Sequence, residues 1–146
     1  MIPVIECLFC NLRTLKEGLI YGDDMCYILP DKYPISKGHI LVIAAAHYPD
    51  MLSTPDDIIG HMFAVAKRYA KISVGVTGAT GVNIGTNVGA SAGQAIMHFH
   101  IHVVPRYDGQ EHIFDYGKNK ELLPADREQM VRAIREAAAE RSDRGQ

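Results

Sequence analysis

The run His98-Phe99-His100-Ile101-His102-Val103-Val104 constrains this chain more than any other stretch. Histidines alternate with large apolar residues. Alternation with a period of two belongs to a strand, because successive side chains point to opposite faces. Phe99, Ile101 and Val103 are expected to face a core, and His98, His100 and His102 to line the other face. Neighbouring histidines would stand about 7 Å apart and the outer two about 13 Å apart along an extended strand. One metal ion cannot span that distance. Either two neighbours share a metal, or the row divides its labour.

The rest of the 146-residue chain reads as one domain, residues 1–146, with enough apolar residues (47%) for a sizeable core. The formal net charge of −2 gives no bulk attraction to nucleic acid or an anionic membrane. No apolar run has transmembrane length and no secretory signal pattern opens the chain, so a cytoplasmic protein is expected. Three cysteines, Cys7, Cys10 and Cys26, make an odd number for a disulfide framework. In a reducing compartment the Cys7-x-x-Cys10 pair reads as metal-binding or redox-active.

The order of elements points to α+β with an antiparallel sheet. Leu19–Tyr21 and Met25–Leu29 flank Gly22-Asp23-Asp24 as a hairpin. His39 to Ala45 is a buried strand, with His47 just beyond it. Thr54 and Pro55 read as the cap and first position of a long packing helix. Its stripe is Ile58, Met62, Val65, Ala66, Tyr69 and Ile72, and it is expected to end near Ser73 to Gly75. Val82–Thr86 is another strand. A last helix is expected over about 126–139, with Met130, Ile134, Ala137 and Ala138 inward.

Between Gly85 and Gln94 the chain is rich in glycine and small polar residues. Such a loop can turn successive amides toward an anion, and Asn87, Ser91 and Gln94 add neutral donors. Its place directly before the histidines suggests a phosphate. No Walker lysine motif or dense acidic cluster offers an alternative. Phosphorus chemistry here would then use a histidine nucleophile, with His100, flanked by polar neighbours, the best placed. Its other ring nitrogen should donate to a fixed acceptor such as a backbone carbonyl. Cys7 and Cys10 need two further ligands to close a tetrahedral zinc site. His39, His47, His61, His98 and His112 are the candidates, and a closed site of that kind is structural.

These residues resemble the histidine triad (HIT) family, whose His-φ-His-φ-His-φ-φ motif (φ hydrophobic) is met at every position from His98 to Val104. The resemblance runs over about residues 7–106, including Gly38 to Ile43 followed by His47, and Asn87-x-Gly89 followed by Ala92-Gly93-Gln94. It implies a five-stranded antiparallel sheet with one long central helix, here followed by a C-terminal helix, and a homodimer whose strands align. It implies a hydrolase acting at the α-phosphorus of nucleoside-5′-phosphoryl compounds through a nucleotidyl-histidine, with a nucleotidyltransferase or an AMP-binding sensor as alternatives. Dinucleoside polyphosphates and adenosine phosphoramidates are the candidate substrates, and an adenine nucleotide is the expected ligand. By position His100 matches the nucleophile, His102 the contact to the α-phosphate and Gln94 a glutamine near the phosphate. Asp31 resembles the ribose-holding acid and Asn87 the asparagine of the phosphate pocket, with Gly89 and Ser91 beside it. The base is expected against the Ile28–Leu29 region. Zinc-containing members point to Cys7, Cys10, His47 and His98 as the ligands of a structural zinc. One departure is Ala95, where members often carry serine or threonine that assists the leaving group.

Overall fold

The computed structural model describes residues 7–12, 18–110 and 120–143. Its sheet is five-stranded and antiparallel, in the order β1-β2-β3-β5-β4. The strands are β1 (Tyr21–Gly22), β2 (Cys26–Pro30), β3 (Ile40–Ala44), β4 (Gly81–Gly85) and β5 (His100–Arg106). Three α-helices accompany them: α1 (Leu8–Leu12), α2 (Asp56–Thr77) and α3 (Pro124–Asp143).

The β1–β2 hairpin closes as expected, and a carboxylate holds its turn. Asp23 Oδ1 accepts from the amides of Met25 (2.8 Å) and Cys26 (2.9 Å). Asp23 Oδ2 accepts from the Tyr21 hydroxyl and lies 2.7 Å from His61 Nε2 on α2. Burial works against the charge, yet these bonds hold the carboxyl well below the usual range.

The core lies between one sheet face and the two long helices. Ile28, Ile40, Val42, Phe99, Ile101 and Val103 meet Met62, Val65, Ala66, Tyr69 and Ile72 of α2 and Val131 and Ile134 of α3. The alternation in the histidine stretch therefore points Phe99, Ile101 and Val103 where the sequence places them. A second cluster covers the opposite face: Tyr27, Leu29, Leu41 and Ile43 with Cys7 and Phe9. Strands β2 and β3 are thus covered on both faces, which is why they carry so few polar side chains, whereas β5 turns His100 and His102 to this second face.

Helix boundaries differ from the sequence reading. Pro55 is the N-cap of α2, not its first helical residue, and Thr54 does not cap it. The Thr54 hydroxyl instead donates to the Asp50 carbonyl at 2.7 Å. α2 continues past Gly75 to Thr77, because Ile72 and Val76 pack on the core and outweigh the weak helix preference of one glycine. It stops at Gly78, whose φ of +74° closes the last turn with an amide bond to Val74. α3 begins two residues before, and ends four residues after, the expected 126–139. β5 begins at His100, so His98 precedes the strand rather than standing in its row.

Ile134 is completely buried where α3 meets the core, whereas Met130 is only partly buried. Ile134→Ala should cost about 2–5 kcal/mol in urea unfolding and Met130→Ala clearly less. Equal losses would mean that α3 packs through a different stripe.

Candidate active site and metal cluster

Strand register decides which side chains share the second face. β5 pairs with β3 so that His100 lies opposite Ile43 and His102 opposite Leu41. On the far side His102 lies opposite Gly85 of β4. The His100 and His102 ring centroids are 4.9 Å apart. Both rings line a cleft of about 260 Å³ with Leu8, Phe9, Leu29, Leu41, Asp31 and Tyr33 on one side and Gly93, Ala95 and Ile96 on the other. Phe9, between the two cysteines, meets the His100 ring edge to face with centroids 5.1 Å apart. Leu29 enters this cleft, but Ile28, its neighbour in the strand, faces the core.

His100 Nδ1 lies 2.7 Å from the carbonyl oxygen of His98. A carbonyl only accepts, so Nδ1 carries the proton and a neutral ring leaves Nε2 as a lone pair. Burial pushes the His100 pKa down, and the His98 carbonyl bond opposes that shift. The ring is therefore held neutral near pH 7.

His102 has a different partner. Its Nδ1 lies 3.0 Å from Nε2 of His39, which is completely buried at the start of β3. The Ile35 amide donates to His39 Nδ1 at 3.0 Å, and Asp31 Oδ2 lies 3.3 Å from His39 Nε2. Burial lowers the pKa of both rings, His39 to about 3, and repulsion from His100 in its protonated form adds to each shift. Burial raises the Asp31 carboxyl to about 6, opposed by the Tyr33 amide that donates to it.

The glycine-rich loop is arranged otherwise than as a row of free amides. The Ala92 and Gln94 amides donate to the Gly89 carbonyl, and the Gly93 amide donates to Ala90. The Gly89 amide donates to Gln94 Oε1 at 2.8 Å. Gln94 Nε2 donates to the carbonyls of Pro49 (2.7 Å) and Ile96 (3.0 Å). A buried amide must find such partners, so Gln94 ties the loop together and does not line the cleft. Gly89 and Ser91 are not among the residues that line this cleft, and Ser91 is exposed. Asn87 borders a second hollow of about 360 Å³ with Asn83, Gly85, Thr86 and Gly93. Gly93 (φ +94°) belongs to both hollows, and a Cβ there would come within 3.4 Å of Asn87 Nδ2.

The other expected cluster forms at the end of the same face. Cys7, Cys10, His47 and His98 place one ligand atom each within 4.8 Å of one another. Cys7 Sγ and Cys10 Sγ lie 3.3 and 3.5 Å from His98 Nδ1, and His47 Nδ1 lies 3.3 Å from Cys10 Sγ and 3.2 Å from His98 Nδ1. A tetrahedron with metal–ligand bonds of about 2.0–2.3 Å has edges of about 3.3–3.8 Å, so the spacing fits one ion. His98 Nε2 lies 2.7 Å from the Ala44 carbonyl and must donate to it, leaving Nδ1 bare toward the cluster. Burial and the adjacent Cys7 push the Cys10 thiol up to about 11. Two thiols so close need a cation beside them to ionise. Of the other candidate ligands, His39 sits beside His102 and His61 beside Asp23, while His112 lies outside the described residues.

Sequence reasoning missed Phe9 and Tyr33 as cleft residues and took His39 only as a possible metal ligand. The one signal for His39 was a polar residue opening an otherwise apolar strand. It missed Lys32 and Ile96 as well, which also line the cleft.

An antiparallel sheet backed by the two long helices, with a histidine-lined cleft on its opposite face beside a Cys2His2 cluster, defines a small α+β domain with a cleft suited to a ligand. The HIT domain family matches residues 13–109, and the chain belongs to that family. An adenylylsulfatase of Arabidopsis thaliana is 37% identical over 103 residues, 69% of this chain and 52% of that protein. The chain thus spans about half the length of that relative. A hypothetical histidine triad nucleotide-binding protein of Sulfolobus tokodaii superposes with a TM-score of 0.81 at 33% identity, covering 92% of this chain and 93% of that one. A zinc-bound histidine triad family protein of Mycobacterium smegmatis gives 0.82 at 33% identity, covering 97% and 99%. Among the described residues no helix is long and apolar enough to cross a membrane.

The buried neutral histidines predict a pH dependence of stability. For His39 the folded pKa lies below the unfolded value. Its contribution is therefore complete above about pH 6.5 and shrinks as pH falls toward 3. Asp31 acts in the opposite sense, because its raised carboxyl takes up a proton below about 6 in the folded state. Between pH 6 and 4, His39→Gln should flatten the loss of stability on acidification by up to about 1.4 kcal/mol per pH unit. Parallel slopes in urea titrations of the two proteins would show that His39 is charged in the fold.

Proposed function

We propose that this protein is a nucleotide hydrolase that opens nucleoside-5′-phosphoryl compounds at the α-phosphorus, with His100 as the nucleophile. The observation that carries this reading is the 2.7 Å bond from His100 Nδ1 to the His98 carbonyl. It supplies an unprotonated Nε2 on a ring that lines the cleft. Attack forms an N–P bond and breaks the bond from phosphorus to the leaving oxygen. The ring then becomes cationic with Nδ1 still protonated, and the carbonyl contact strengthens as that charge develops. Water next attacks phosphorus, the N–P bond breaks, and the ring returns to its neutral form as a nucleoside monophosphate leaves.

The remaining residues divide the substrate among them. The apolar end of the cleft, Leu8, Phe9, Leu29, Leu41 and Ile96, suits an adenine base. Asp31, which lines the same cleft, takes the ribose hydroxyls in this reading. His102 and Asn87 take the α-phosphate, and the hollow beside Asn87 takes the leaving group. Gln94 and Gly89 contribute by holding the loop, with Ser91 on its outer rim. Ala95 lines the cleft with a methyl group that cannot donate a proton. Leaving groups that depart as stable anions, polyphosphate or sulfate, are therefore favoured over amines. The Arabidopsis relative, an adenylylsulfatase, agrees with that preference. Zinc fits the Cys7, Cys10, His47 and His98 cluster and would tie the N-terminal turn to the sheet, with four protein ligands and no open position for substrate. A second copy is expected along β4, an edge strand on which Ile84 is exposed, giving a homodimer in the cytoplasm with no role for nucleic acid or membrane.

The test is AMP release from diadenosine polyphosphates, adenylyl sulfate and an adenosine phosphoramidate. Wild type should turn over one of the first two best. His100→Ala should lose turnover at least 10³-fold, an order-of-magnitude expectation for a covalent nucleophile, while still binding AMP. Equal rates in the two proteins would remove His100 from the role. Binding of AMP without turnover of any compound would favour a sensor or a transferase lacking its acceptor. Elemental analysis should find about one zinc per chain, and Cys10→Ala should lower both zinc content and thermal stability. A folded, metal-free wild type would overturn the zinc assignment.

A further inference from the structure

We propose that the hollow bounded by Arg68, Arg135 and Arg141 is a second binding site, for a small phosphate-bearing anion, separate from the histidine-lined cleft. It lies where the edge strand β1 meets α2 and α3, on the helix side of the sheet. The cleft opens on the opposite face, so a ligand here would touch neither His100 nor His102.

The sequence of α3 builds the hollow. Arg135 and Arg141 flank the run Glu136-Ala137-Ala138-Ala139-Glu140. Ala138 is three positions from each arginine, and residues so spaced are neighbours on a helix surface. The small side chains of Ala138 and Ala139 leave a space of about 400 Å³, with Ile20 and Ile72 as its apolar floor. α3 carries more carboxylates than arginines, yet no carboxylate lines this space among the described residues. Glu136 lines a neighbouring hollow instead.

The fold holds two of the three guanidinium groups in place. Arg68 of α2 lies over the Tyr21 ring at 5.0 Å and over the Tyr69 ring at 5.4 Å, within cation–π range. Arg135 donates from Nη2 to the Leu19 carbonyl, which ties α3 to the start of β1. A guanidinium has five N–H donors in a planar fork, so one such contact leaves others for a ligand. Among the described residues none of the three arginines pairs with a carboxylate within 4.0 Å. Burial raises the pKa of both tyrosine hydroxyls, so neither ring supplies a counter-charge. Arg141 stands in the last turn of α3, where positive charge suits the helix dipole. That effect does not reach Arg68 or Arg135. Three positive groups therefore meet at one place on a chain whose formal net charge is −2. Planar forks match phosphoryl oxygens in pairs, and the apolar floor and tyrosine rings suit the organic part of a phosphate ester.

The experiment follows the arginine Nε–Hε signals and the Ala138 and Ala139 amides by ¹H–¹⁵N NMR in the intact protein. Pyrophosphate and AMP are added separately at constant ionic strength, with sodium chloride as the control. Wild type should show saturable shifts at Arg68, Arg135 and Arg141 with one or both probes at millimolar concentration or below. Tighter binding of AMP would identify an organic phosphate that uses the apolar floor, and tighter binding of pyrophosphate an inorganic one. Arg68→Gln with Arg141→Gln keeps the Arg135 contact to Leu19 and should weaken the affinity roughly 10-fold or more. Should that double variant fail to fold, Arg141→Gln alone, in the last turn of α3, should still weaken it. No saturable shift at these arginines with either probe would overturn the proposal, as would equal affinity in wild type and variant. So would shifts that chloride reproduces, the mark of a diffuse ion atmosphere. The titration needs no turnover and reads signals outside the cleft, so its outcome is independent of the His100→Ala assay.

Discussion

The pairing of β5 with β3 is the constraint on which the rest depends. It sets Ile101 against Val42 on the core face and His100 and His102 against Ile43 and Leu41 on the other. A shift of one residue would bury the imidazoles against α2 and turn Ile101 and Val103 into the cleft. The apolar demand of the core therefore fixes the chemistry on the opposite face. The same strand serves as a wall of the core and as the floor of the site.

Burial then gives each histidine one environment and one role. His98, His100 and His102 differ little in sequence context, yet the atoms beside their rings differ. His98 donates to Ala44 and turns a bare nitrogen to the cysteines; His100 donates to the carbonyl of His98; His102 meets His39. In each case a fixed partner on one ring nitrogen decides what the other can do. The Cys2His2 cluster and the cleft are neighbours on one face, linked through the His98 carbonyl and through Phe9. Phe9 packs its ring against both His98 and His100. A zinc that fixed Cys7 and Cys10 would hold Phe9 between them, and so would shape the cleft without entering it.

Much of this was legible in the sequence because the signals are local. The alternation at 98–104, the apolar stripe of α2 and the Gly22-Asp23-Asp24 turn are short-range patterns with direct physical causes. The spacing of Cys7 and Cys10 pointed to a metal, and residues 47 and 98 complete the cluster. What misled was also local. Thr54 and Pro55 look like a cap and first turn, but the Thr54 hydroxyl finds the Asp50 carbonyl and Pro55 becomes the cap. The glycine-rich loop looks like a cradle of free amides, but the Gly89, Ala92, Gly93 and Gln94 amides close on the loop itself.

By itself the sequence determined the fold class, the face that carries the histidines and the residue types available for catalysis and metal binding, because periodicity and spacing encode those directly. Only the tertiary structure decided which partner each polar atom meets. Those partners come from far along the chain: His39 and His102 are 63 residues apart, and Cys7 and His98 are 91. Hydrogen bonding at that range follows from strand register and packing, which no local pattern specifies. For the same reason the partners of the Gln94 side chain, at Gly89, Pro49 and Ile96, and the contact of His39 with His102 become visible only there.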